Sequence, residues 1–389
     1  MKVHIQDEEF RYYEDLYHRI QEPFDDDEDK ENFLENAFCE MKTREMDYSC
    51  NKTLSRFIEE CLRMSFGLDN LKFHIQFMDA FGENIRLVCK DQYASHVVQT
   101  LIHCIPKIFD DEKTKDADTL TPQVESWIIK LSKFAINNVA EFITDPYASH
   151  ILRTLLQLWS GHVEQKLTKK NSNHPTFSMF IPKPHLLPDI FAELLKSFED
   201  QFYVLSRQLK VWCCDELCSP VLQTLLFCIH HRNPERTDKF VKYILKATAP
   251  DDSKTKETLL LTDEKGSHLM EQIFTVISPK LRKRCYKKYL RSKFSDICSH
   301  PNSNFVVQRF LKSIEDTDLF VKVYGELSSE LGNIIYSRKT GLLVAIAESC
   351  VRLSSCQGTF VTEIEDMSLA ESKNIITDFQ EFTQTIQLL

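Results

Sequence analysis

The chain has 389 residues, 42% hydrophobic and 27% charged, so it can bury a sizeable core. Its 8 glycines are too few for glycine-rich phosphate loops or a turn-rich β protein, and they favour helices. The net charge of −10 excludes a uniformly basic nucleic-acid surface, and the 13 scattered cysteines fit a soluble protein of a reducing compartment.

The excess acid lies at one end. The first 50 residues hold 16 Asp/Glu against 6 Lys/Arg, while the rest of the chain carries 42 of each. Residues 1–41, densest in acid at Asp25-Asp26-Asp27-Glu28-Asp29, read as a solvated N-terminal segment. The start has no apolar run behind a basic stretch, and nothing approaches the about 18 apolar residues of a membrane helix, so no membrane partner is expected.

From residue 47 a phrase recurs. DQYASHVVQTLI from Asp91 and DPYASHILRTLL from Asp145 agree at seven of twelve positions. Related stretches begin at Asp47 (DYSCNKTLSRFI), Asp215 (DELCSPVLQTLL), Asp263 (DEKGSHLMEQIF), His300 (HPNSNFVVQRFL) and Ser337 (SRKTGLLVAIAE). An opening Asp suits a helix N-cap, because its carboxylate accepts from the free N–H groups of the first turn. Pro146 and Pro301 follow where a missing N–H costs nothing. In DQYASHVVQTLI the residues Val97, Val98, Leu101 and Ile102 form a buried stripe. Residues 123–143, 188–212 and 278–296 predict a second helix upstream of their phrases. The unit is a helix–turn–helix, and its repetition predicts an all-α solenoid over residues 42–355. Residues 158–187 read as an insertion, and 356–389 as a helical tail or an incomplete further repeat.

Three phrase positions recur as a polar set on one helix face. They are Ser95/His96/Gln99, Ser149/His150/Arg153, Ser219/Pro220/Gln223, Ser267/His268/Glu271 and Asn304/Phe305/Gln308. The first copy gives Asn51/Lys52/Ser55 and the last Gly341/Leu342/Ala345. This pattern resembles the Pumilio-repeat family, in which each helical repeat reads one RNA base with two or three side chains. The resemblance implies a curved right-handed superhelix, with the first and third residues on a base edge and the second stacked on bases. It implies guanine for Ser267 with Glu271, uracil for Asn304 with Phe305 and Gln308, and adenine for Ser95 with Gln99. The phrases YASHVVQTLI and YASHILRTLL, with their irregular spacing, are most similar to the divergent nucleolar protein 9 family. That likeness implies precursor ribosomal RNA as partner, maturation of the small-subunit 18S RNA, pre-ribosomal proteins as neighbours and a nucleolar, nuclear location. It also implies an array longer than the seven phrases. A monomer without cofactor or metal is expected. The alternatives are a protein-binding armadillo- or HEAT-like scaffold and a messenger-RNA regulator of the Pumilio kind.

Residues 280–293 add a basic run, with Lys280, Arg282, Lys283, Arg284, Lys287, Lys288 and Arg291 as candidate phosphate contacts. Leu281, Cys285 and Tyr289 recur every fourth residue, which predicts one amphipathic helix. Catalysis is not expected. Adjacent helix residues such as Ser95 and His96 point about 100° apart, so they do not make a nucleophile and base. Cys213, Cys214, Cys218, Cys228, His230 and His231 match no zinc spacing and read as packed thiols beside ordinary histidines.

Overall fold

The computed structural model describes residues 7–68, 70–110, 120–162, 185, 187–249 and 259–370. Every regular element among them is helical. The chain divides into two compact units, Met1–Leu205 and Ser206–Leu389. The greater part of the insertion expected at 158–187, and residues 371–389 of the tail, lie outside the described residues.

The phrases become seven helices: α1 (Lys52–Gly67), α2 (Ala94–Asp110), α3 (Ala148–Ser160), α4 (Cys218–Arg232), α5 (Glu264–Val276), α6 (Ser303–Ser313) and α7 (Thr340–Arg352). In the first unit α2 packs between α1 and α3, and in the second α4, α5, α6 and α7 pack in chain order. Val97, Val98, Leu101 and Ile102 of α2 are fully buried, as the apolar stripe requires.

Each phrase helix is preceded by two helical pieces rather than one. Leu120–Asn137 stops at Asn138 and resumes as Val139–Phe142, and Phe294–Ser299 stands apart from Pro279–Cys285. The repeat is therefore an outer helix, a short helix and a phrase helix. Predicting a single upstream helix fails because a break of one or two residues preserves the apolar period. The run at 280–293 shows the same effect: Pro279–Cys285 passes into a π turn, Tyr286–Leu290, before Ser292 takes a left-handed φ of 60°.

The acidic start is folded. Asp27–Met41 buries Leu34, Ala37, Phe38 and Met41 and serves as the outer helix of the first repeat. Asp7–Arg19 packs on α1, with Tyr13 buried against Tyr48 at 5.0 Å between ring centroids. Glu9 accepts from both Arg44 and Tyr48, fastening this helix to the first repeat. Only the face carrying the acids stays solvated, which corrects the expectation of a free segment.

Caps close the phrase helices where the sequence places Asp. Asp91 Oδ1 accepts from the Tyr93 and Ala94 N–H groups at 2.9 Å each, and Asp145 and Asp215 repeat the geometry. Asp263 caps α5 through Gly266 N at 2.7 Å. His300 Nδ1 accepts from the Asn302 and Ser303 N–H groups at 3.2 Å each, so an imidazole takes the part of the missing Asp.

Later repeats also complete earlier ones. Gln76 donates to the Phe38 carbonyl at 3.1 Å, and Ser303 donates to the Leu261 carbonyl. Arg352 reaches the Leu311 carbonyl at 3.0 Å and also the Ile314 carbonyl.

Candidate RNA interface

The caps provide a ruler for the polar set. Counting from the cap, the first slot lies four residues on, the second five and the third eight. Asn51 is the cap of α1, accepting from Thr53 N at 2.9 Å and Leu54 N at 3.2 Å, as Asp91 does for α2. The first repeat's set is therefore Ser55, Arg56 and Glu59, and not Asn51, Lys52 and Ser55. Aligning on Asp47 misplaced it by four residues, one helical turn. The signal that could have found it was Asn51 itself, a good capping residue directly before an apolar helix.

The first slot is then Ser55, Ser95, Ser149, Ser219, Ser267 and Asn304. All six are buried, none more than 4% exposed. Ser219 donates to the Lys265 carbonyl of the next repeat at 3.1 Å, Ser267 to its own Glu264 carbonyl at 2.8 Å, and Asn304 to the His300 carbonyl at 3.0 Å. The expectation that this slot faces a base is corrected: four residues past the cap, the side chain points into the helix stack, where only a small polar group fits.

The second slot is outside. Arg56, His96, His150 and His268 are exposed, Phe305 is 51% exposed, and Pro220 is half-buried. The third slot, half-buried beside it, holds Glu59, Gln99, Arg153, Gln223, Glu271 and Gln308. Its side chains are braced. Gln99 Nε2 lies 3.1 Å from Thr154 Oγ1 on α3, and Thr100 donates to Glu59 at 3.3 Å. Gln223 donates to Ser219 at 3.2 Å, and Gln308 to Asn304 at 3.0 Å. Glu271 meets His268 at 3.2 Å; burial raises its carboxyl above the ordinary value, opposed by His268 and Arg309. The structure thus separates the predicted set into a buried spacer, an exposed plate and a braced polar tip.

The last phrase offers no such slots. Leu342 and Ala345 are buried, and the Gln308 carboxamide fills the space beside Gly341, its Oε1 2.8 Å from where a Cβ would stand.

Of the basic run, Lys280, Lys283, Arg284, Lys287, Lys288 and Arg291 are exposed, and Lys283 is held by Asp316 at 2.5 Å. Arg282 does not belong with them. It is 4% exposed, donates to the Ile277 carbonyl at 3.1 Å and lies 3.6 Å from Glu315. Its guanidinium finishes the C-terminal end of α5 instead of facing solvent. Leu281, Cys285 and Tyr289 are buried as their spacing predicts.

Among the described residues no group of three or more His, Cys, Asp or Glu could hold a metal ion. Cys213, Cys218 and Cys228 are buried, and burial pushes the half-buried Cys214 thiol up to about 12, well away from reactivity at neutral pH. No described helix is long and apolar enough to cross a membrane.

Residues 43–386 match the NOP9-like PUF repeat domain. The chain belongs to the NOP9-like PUF repeat family. Human Nucleolar protein 9 is 22% identical over 369 residues, covering 91% of this chain and 57% of the human protein. Nucleolar protein 9 of Zygosaccharomyces rouxii is 24% identical over 358 residues, covering 81% of this chain and 52% of its own length. The chain thus spans a little over half the length of these relatives. The APUM23-GGAGUUGACGG structure superposes with a TM-score of 0.73 at 19% identity, over 95% of this chain and 67% of the other. PUF-8 in complex with PBE-RNA gives 0.53 at 16% identity, over 86% and 77%. These likenesses establish the PUF-type helical repeat as the fold of this family member.

Proposed function

We propose that the chain is an RNA-binding module, not an enzyme, and that bases stack on the second slot while the third slot meets their edges. The observation that carries this reading is the exposed Arg56, His96, His150, His268 and Phe305, each beside a half-buried polar tip. A solvated helix face has no reason to repeat a flat, exposed cation or ring at one offset from each cap. Flat groups of this kind hold bases without regard to sequence, at about 1–3 kcal/mol per stacked base. Positive charge suited to phosphates comes from outside the slots, from the exposed Lys280, Arg284, Lys287, Lys288 and Arg291.

The relatives' name supports a nucleolar, nuclear setting, with precursor ribosomal RNA as the ligand, pre-ribosomal proteins as neighbours and maturation of the 18S RNA as the role. Purified protein retains a single-stranded RNA probe, and the affinity falls as salt rises. Replacing His96, His150 and His268 together by Ala weakens it at least about tenfold at constant salt. Failure to retain any RNA at low salt overturns the reading and favours a protein-binding scaffold.

A further inference from the structure

A glutamine tip offers two different surfaces, an NH2 donor and a carbonyl acceptor, and a flip exchanges them. At Gln99 the neighbours decide which faces outward. Gln99 Nε2 lies 3.1 Å from Thr154 Oγ1 and 3.4 Å from the His150 carbonyl, both on α3. The carbonyl can only accept. The Thr154 hydroxyl gives its one proton to that same carbonyl at 3.0 Å, so toward Gln99 it can only accept as well. A flipped carboxamide would set its oxygen against two acceptors and lose both bonds. The NH2 group is thereby turned to α3 with both protons engaged, and Gln99 has only its carbonyl oxygen to offer a ligand.

The preceding repeat reaches the same result by another route. Glu59 occupies the equivalent slot, and Thr100 of α2 occupies the place that Thr154 has on α3. Thr100 donates to Glu59 Oε2 at 3.3 Å, and Arg63 reaches the same oxygen at 2.8 Å. A carboxylate is an acceptor only. Two adjacent third slots, each braced by a threonine of the following repeat, therefore present acceptors.

We infer that the first two repeats select two consecutive bases carrying a ring imino N–H, guanine or uracil, and discriminate against adenine. Adenine and cytosine place a lone pair at that ring position, and an acceptor tip leaves it unmatched. The inference rests on the RNA-binding reading and departs from the adenine that the family resemblance implied for Ser95 with Gln99. Thr154 and Thr100 are positioning residues in it: they set what the third slot shows without touching the base.

The test is selection from a random single-stranded RNA pool on the full chain, with sequencing of the retained RNA. Wild type and Gln99→Glu enrich the same imino-bearing bases at two neighbouring positions, with adenine depleted about tenfold, the ratio that about 1.4 kcal/mol of discrimination gives. Thr154→Val frees the carboxamide, and adenine returns at one of the two positions; Thr154→Ser keeps the hydroxyl and the wild-type preference. A wild-type preference for adenine that Gln99→Glu converts to guanine overturns the inference. So does a Thr154→Val pool indistinguishable from wild type. An empty wild-type pool counts against RNA binding itself, so the two failures are told apart.

Discussion

His74 should make the first unit sensitive to mild acid. It lies in the outer helix Lys72–Gly82, is fully buried, and meets the Phe66 ring edge-on at 5.8 Å between centroids. Neither ring nitrogen has a hydrogen-bond partner, although the backbone of Asn70 and Leu62 lies near enough to favour the charged form slightly. Burial lowers its pKa from 6.5 to about 4. The unfolded chain takes up a proton near pH 6.5 and the folded one does not until near pH 4. The stability contributed by neutral His74 is therefore complete above pH 6.5 and is lost as the pH falls toward 4. Integrating the linkage gives a loss of about 3 kcal/mol over the whole window and about 2 kcal/mol between pH 7 and pH 5. His74→Leu keeps an apolar side chain in the site and removes the titration. Urea unfolding of both proteins, followed by tryptophan fluorescence, isolates this residue because the other histidines cancel in the difference. The gap between wild type and variant should move by about 2 kcal/mol in favour of the variant from pH 7 to pH 5. An unchanged gap refutes the reasoning.

Asn51→Ala removes two cap bonds from α1 and should cost about 1 kcal/mol in urea unfolding, whereas Asn51→Asp should be nearly neutral. Arg282→Met leaves the Ile277 carbonyl without its donor and should destabilise by about 1–2 kcal/mol while leaving the salt dependence of RNA retention unchanged. Lys287→Glu with Lys288→Glu should do the reverse, weakening RNA retention and flattening its salt slope with little effect on unfolding, since both side chains are exposed.

The phrase and its apolar stripe were legible because cap and core obey local rules: Asp91 and Asp145 bind their own first turns, and Val97 and Val98 recur at helical spacing. What escaped depended on neighbours. Ser95 and His96 are adjacent letters, yet one is 4% exposed and the other lies in solvent, and only the packing of α2 between α1 and α3 separates them. Arg282 looks like any other charge in a basic run, and its burial follows from the carbonyl end of α5 lying beside it. The first repeat's register was lost because Asp47 and Asn51 are both capping letters one turn apart, and only the hydrogen bonds choose between them. The fold was thus readable from local periodicity, while the division of labour within each slot set came from contacts between repeats.

The carbonyls that one repeat leaves open are closed by side chains of the next, as Arg352 does for Leu311 and Ile314 and Gln76 for Phe38. A growing chain therefore always trails one unfinished repeat, whose open acceptors are answered only when the following helices emerge. Completion is ordered from the N-terminal end, and a cut at a repeat boundary would expose a polar edge that solvent, or a foreign donor, must satisfy.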